Sequence, residues 1–234
     1  MSNKHQLRDQ RNNTVINKIS KYQEKECDVV IANLIDKIEQ EMQVVLHKES
    51  QIFLKDIVKE LKDHFDEPDF HYYFDSSSMR PDGGLLYLLD NKKEKYPILI
   101  TEVKNQGTND LRVQEGKSKQ AKGNAIERLG KNVIGLRTYL LKESIFPFVC
   151  FGYGCDFNSE SSILDRVATI AMFGKLNNTY LHNTGLFNRG SFYFREQKWT
   201  EKEMFEILYD IAKSSIYYYF SKYGEEIFKM KKNK

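Results

Sequence analysis

Apolar residues recur along the chain at two spacings. From Glu24 to Lys48, Val30, Leu34, Ile38, Met42 and Val45 return at helical intervals and predict a helix. Ser50 is placed to cap a second helix with Phe53, Leu54, Ile57, Val58, Leu61 and Phe65 inward, and Pro68 ends it. Phe70–Phe74 has the residues of a short strand. Leu85–Leu89 and Ile98–Val103 have strand length and strand residues and flank a charged gap, Asp90–Lys95, which predicts an antiparallel hairpin. Asn105–Lys122 lacks apolar periodicity and is expected to be a link, functional or disordered. Ile126, Leu129, Val133, Leu136 and Leu140 mark the buried stripe of a further helix, with Asn124 as N-cap and Glu127 completing a capping box. A buried strand at Phe146–Phe151, a loop from Gly152 to Glu160 and a short helix at Ser162–Phe173 follow. Asn177 to Gln197 is expected to be loop and short strands. Thr200 and Glu203 form a second capping box, opening a helix from Glu201 to about Tyr219. Residues 1–20 are expected to be a flexible arm and Lys222 to Lys234 a solvated tail.

Composition narrows the class. With 40% hydrophobic and 29% charged residues and four prolines, the chain has material for a core and is not of the disordered type. Its 234 residues fit a single domain, 1–234. No apolar run reaches membrane-span length, and the N-terminus lacks a signal-peptide core. Cys27, Cys150 and Cys155 are odd in number and make no disulfide framework, so a cytoplasmic location is expected. The net charge of +3 is unevenly spread. Between Lys104 and Arg137 stand eight basic residues and three acids, a net +5 that leaves −2 for the rest. That is the footprint of a protein that meets a polyanion, or of a solvated lysine-rich loop.

The candidate chemistry lies in the hairpin. Centred on Lys92, it sets Asp82 opposite Glu102, and strand alternation puts Glu102 and Lys104 on one face with Ile98 and Ile100. Two close carboxylates repel unless a cation sits between them. Hard oxygen ligands favour Mg2+, and a neighbouring lysine can position or activate water, which together equip a site for phosphodiester hydrolysis. The plainer reading makes Pro81–Gly84 a turn, with glycines supplying positive φ, and Glu102–Lys104 a surface ion pair. Charges at the end of an apolar strand face need a reason, which favours the site. Ser76, Ser77, Ser78 and Arg80 are placed to donate hydrogen bonds to a phosphate. A helix start near Asn124, fed by a basic loop, is an anion site; Asn124 can read adenine and Arg128 can reach base acceptors.

These residues, in this order, resemble the EcoRI family of restriction endonucleases within the PD-(D/E)xK nuclease superfamily. The resemblance rests on Arg80-Pro81-Asp82-Gly83-Gly84, then Glu102-Val103-Lys104 with Gln106-Gly107, then Gly123-Asn124-Ala125-Ile126-Glu127-Arg128 with Lys131-Asn132. Glu143-Ser144, Phe146-Pro147, Val149, Trp199, Met204-Phe205-Glu206-Ile207 and Asp210-Ile211 continue it, from about Ser76 to Ser214. It implies an α/β, restriction-endonuclease-like fold, a mixed central β-sheet flanked by helices. It implies a type II endonuclease that uses Mg2+ to cut both strands of palindromic double-stranded DNA as a homodimer, beside a methyltransferase protecting the same site. By that resemblance Asp82, Glu102 and the Val103 carbonyl hold the metal and Lys104 orients the attacking water. Asn124, Ala125, Glu127 and Arg128 match the segment that reads an inner AATT, and Arg80, Lys122, Lys131 and Arg166 join them as DNA-binding candidates. Two departures concern the outer base pair: Gln120 stands where the family has methionine, and Ile163 where a guanine-linked arginine aligns. The alternatives are a nuclease of repair or junction resolution and a non-cleaving DNA-binding relative; the intact Asp82, Glu102 and Lys104 argue against the latter.

Overall fold

The computed structural model describes residues 14–63, 71–105, 107–118, 123–157 and 190–231. In chain order these form α1 (Thr14–Met42), β1 (Leu46–Glu49), β2 (Ile52–Phe53), α2 (Leu54–Lys62), β3 (Ser78–Met79), β4 (Gly84–Leu89) and β5 (Lys95–Asn105). They continue with α3 (Gly107–Gln114), α4 (Gly123–Tyr139), β6 (Phe148–Tyr153), β7 (Ser191–Arg195) and α5 (Glu201–Tyr223). Five strands make one mixed sheet in the order β1-β4-β5-β6-β7. The β1, β4 and β5 strands pair antiparallel, and β6 and β7 add in parallel.

The central strands are apolar on both faces because both faces are covered. Leu86, Leu88, Leu99, Val149 and Phe151 meet Leu34 and Ile38 of α1 and Leu208 and Ile216 of α5. Leu85, Tyr87, Ile100, Phe148 and Cys150 meet Ile57 of α2 and Leu129, Val133 and Leu136 of α4. The result is helices, sheet, helices in three layers, with β5 in the middle strand position.

The hairpin forms as expected but with a shifted register. Leu89 pairs with Lys95 and Tyr87 with Pro97, the alignment centred on Lys92. Between Leu86 and Tyr87 the register slips, leaving Ile98 as the extra residue, so Leu86 pairs with Leu99 and Gly84 with Thr101. Two expectations are corrected. Asp82 comes level with Val103 rather than Glu102, and Ile98 packs on the α1–α5 side while Ile100 packs on the α4 side.

Other expectations shift for local reasons. The first helix begins at Thr14, inside the expected arm, and stops at Met42, because Gln43 adopts φ 56°. Val44 bridges to Met230 and Leu46–Glu49 becomes an edge strand rather than helix. Ser50 caps nothing; Phe53 occupies the N-cap of α2, which ends at Lys62. Tyr72, Tyr73 and Phe74 are exposed outside any strand, and the short pairing is β2 with β3 instead. Phe65, Pro68, Phe70 and the expected helix Ser162–Phe173 lie outside the described residues. The expected link contains α3. The strand expected at Phe146–Phe151 runs from Phe148 to Tyr153, so part of the loop expected after it is strand and part is the 3-10 turn Cys155–Phe157. The tail is not solvated as a whole: Phe228 is buried, Asp90 bridges to it, and the Lys222 ammonium donates to Glu143 at 2.8 Å.

The last helix starts as its sequence requires. Glu203 N–H donates to the Thr200 hydroxyl at 3.3 Å, and Thr200 N–H donates to the Glu203 carboxylate at 2.9 Å. Arg195 binds both Glu203 oxygens at 2.7 and 2.6 Å and holds that carboxyl down at about 2. The Thr200→Ala variant is expected to lose about 1 kcal/mol, read from the midpoint of urea unfolding.

Candidate active site

The turn before β4 brings the first carboxylate to the sheet. Gly84 N–H donates to the Pro81 carbonyl at 3.0 Å, and Gly83 N–H donates to the Thr101 carbonyl at 2.9 Å. Only Gly84 uses positive φ, at 78°; Gly83 is required for space, since a Cβ there would lie 2.8 Å from Ile31 Cδ1 and from Thr101 Cβ. The turn expected at Pro81–Gly84 is thus present, with Gly84 alone at positive φ. The turn aims Asp82 across the end of β5.

Backbone and side chains lock the two limbs together. Val103 N–H donates to Asp82 Oδ2 at 3.2 Å, and Asp82 N–H donates to Glu102 Oε2 at 3.1 Å. Lys104 Nζ donates to Asp82 Oδ2 at 3.4 Å and to Glu102 Oε1. The ion pair is not on the surface: Glu102 is 1% exposed, and the Lys104 side chain is 18% exposed. Burial pushes Glu102 above the ordinary carboxylate value; Lys104 opposes that shift and Asp82 adds to it. Burial acts against the Lys104 ammonium, but Glu102 and Asp82 outweigh it and hold its pKa above the ordinary lysine value. The two buried thiols nearby are poor nucleophiles, with Cys27 pushed up to about 12 and Cys150 well above the thiol range, both mainly by burial.

The donor set suits a hard divalent cation. Two carboxylates share one ammonium, so a positive charge is already required between them. Strand alternation turns the Val103 carbonyl to the same edge as the Thr101 carbonyl, toward Asp82. Among the described residues no group of three His, Cys, Asp or Glu side chains forms a closed cage. Two carboxylates and a carbonyl leave coordination positions for water and phosphate oxygens, the habit of Mg2+.

Asp82, Glu102, Val103 and Lys104 therefore meet as expected. Arg80 is exposed just before them and donates to Ser78 Oγ at 3.2 Å. Lys131 is exposed on α4. Asn124, Ala125, Glu127 and Arg128 lie on the first turns of α4, which begins at Gly123; their side chains, and Lys122 and Arg166 altogether, lie outside the described residues. Several charges of the basic stretch are used internally: Lys104 by the carboxylates, Lys117 by Glu115 at 2.7 Å, and Arg137 by the Leu140 and Glu143 carbonyls. One site residue went unassigned by sequence. Asn132 Nδ2 donates to Glu102 Oε1 at 3.2 Å. The available signal was a polar residue three after Leu129 and four before Leu136, on the buried stripe of α4.

The family profile described as restriction endonuclease EcoRI matches residues 9–226. The chain belongs to the EcoRI restriction endonuclease family. Its mixed sheet flanked by helices is the α/β, restriction-endonuclease-like fold of that family. The type II restriction enzyme RsrI of Cereibacter sphaeroides is 33% identical over 181 residues, covering 62% of this chain and 65% of that enzyme. The type II restriction enzyme EcoRI of Escherichia coli is 30% identical over 182 residues, covering 62% of this chain and 66% of its own. The chain thus spans just under two thirds of the length of these relatives. The family match begins upstream of Ser76, where the resemblance was first legible, and takes in α1. Among the described residues no helix is long and apolar enough to cross a membrane.

Proposed function

We propose that this chain, as one domain, is a type II restriction endonuclease of the cytoplasm that cuts both strands of a palindromic DNA site with an AATT core, using Mg2+. The observation that carries the reading is the convergence of Asp82, Lys104 and the buried Glu102 on one end of the β4–β5 hairpin, in a chain of this family. Asp82, Glu102 and the Val103 carbonyl would hold the cation. When bound, it supplies Lewis-acid polarisation of the scissile phosphate and offsets the charge that develops there. Lys104, with three donors on a partly buried stem, orients the water that attacks phosphorus in line with the leaving oxygen. Asn124, Ala125, Glu127 and Arg128 read the inner AATT from the start of α4, with Lys122, Lys131, Arg80 and Arg166 on the DNA backbone. A symmetric homodimer presents one such site to each strand. A cognate methyltransferase protecting the same sequence completes the reading.

The test is digestion of a fully sequenced plasmid with Mg2+, beside Asp82→Ala, followed by sequencing of the ends. Discrete ends sharing an AATT core, absent with the variant, are expected. Comparing the flanks of all cut sites reads the outer base pair directly. An uncut plasmid under conditions where the wild type shifts duplex DNA overturns the nuclease reading.

A further inference from the structure

Glu102 accepts three hydrogen bonds from the described residues, and two of them come from its own hairpin, from Asp82 N–H and Lys104. The third comes from Asn132, in the middle of α4. Three positions later on the same helix, Gly135 has no side chain, and a Cβ there would lie 2.7 Å from the Met79 sulfur. Met79 is three residues before Asp82. One face of α4 therefore touches both limbs of the catalytic hairpin: the strand leading into Asp82, through Gly135, and Glu102 itself, through Asn132. The same helix carries Asn124 to Arg128 two turns earlier.

We infer that Asn132 is a positioning residue that fixes Glu102 to α4, so that the helix meeting DNA at its first turns and the catalytic carboxylate move as one body. The inference rests on the nuclease reading above. Asn132 offers a neutral donor that orients one carboxylate oxygen without competing for charge, whereas Lys104 attracts both carboxylates and by itself selects no single Glu102 orientation. A helix held only by apolar packing can slide by a fraction of an ångström at little cost; the hydrogen bond ties that slide to the position of Glu102. Docking at one end of the helix is thereby felt at the other, through a rigid element with a defined contact.

The experiment compares wild type with Asn132→Leu, which keeps a similar volume and removes the donor without adding a charge beside Glu102, and with Asn132→Ala. Cleavage turnover at saturating cognate duplex is expected to fall about 10- to 100-fold, the usual effect of losing such an outer partner, with KM and metal-free duplex affinity within about twofold. The rise in melting temperature that Mn2+ or Mg2+ gives the DNA-free protein is expected to shrink in both variants. Unchanged turnover overturns the inference. So does lost duplex affinity with turnover kept at saturation, which would make Asn132 a DNA contact. If the wild type cuts no DNA, the nuclease reading fails on its own, and the cation-induced melting shift decides: equal shifts in wild type and Asn132→Leu overturn the role given to Asn132.

Discussion

Glu102→Gln is expected to lower DNA cleavage about a thousandfold while melting within a few degrees of the wild type. The substitution keeps shape and removes one negative charge from a buried residue, 1% exposed. Its remaining oxygen still accepts from Lys104 and Asn132, and its new amide faces Asp82 N–H, donor against donor, at a cost of about 1 kcal/mol. The lost attraction to Lys104 adds to that cost. Against it, the protein no longer buries an ionised carboxylate beside Asp82, the burial that raises the pKa of Glu102. These terms oppose each other, so stability moves little. Cleavage has no such compensation, because an amide is a poor ligand for a hard dication. Initial-rate cleavage of an end-labelled duplex and melting in chelator are the two measurements. Cleavage retained within tenfold would remove Glu102 from the catalytic set.

The largest stability effect is expected at the turn. In Gly84→Ala the residue must keep φ 78°, which costs a side chain about 1–2 kcal/mol. The added Cβ also lies 2.4 Å from the Glu49 carbonyl oxygen of the neighbouring strand, and backbone cannot swing aside as a side chain can. Overpacking of this kind costs about 1–3 kcal/mol more. A loss of about 3 kcal/mol corresponds to roughly 6–12 °C in melting temperature for a chain of this size. Relief of the clash would part β1 from β4 and turn Asp82 away from β5, so cleavage should fall as well. A variant that melts with the wild type would mean that the turn is not held by this contact.

What the sequence revealed follows from what carried a pattern. The β4–β5 hairpin, α4 and α5 were legible because long apolar stripes marked them and the Thr200–Glu203 capping box marked the start of α5; α4 begins at Gly123, one residue before the expected cap Asn124. The end of α1 was not, because Gln43 takes a left-handed conformation that nothing in its side chain announces, and Val45 continues the helical spacing past it. The α3 helix was missed because part of its inward face is polar: Asn109 is buried and donates to Asp156, itself buried. The register slip at Ile98 is invisible in a run of uniformly apolar residues. It moved Asp82 by one position, yet left the site intact, since Asp82 N–H reaches Glu102 and Val103 N–H reaches Asp82. The proposed catalytic trio was recognisable because it is contiguous with strand ends. Asn132 was not, because its partner lies thirty residues away.

Lys104 has a consequence for handling the protein. By lying between Asp82 and Glu102 it serves as an internal counter-ion, and the apolar layers on both sides of the sheet are built from the chain's own side chains. Folding is therefore expected not to depend on an ion, unlike in small zinc domains, where the ion supplies the folding energy. A chelator should leave an intact, idle protein, and returning the dication should restart it; the same preparation can be switched off and on repeatedly without refolding.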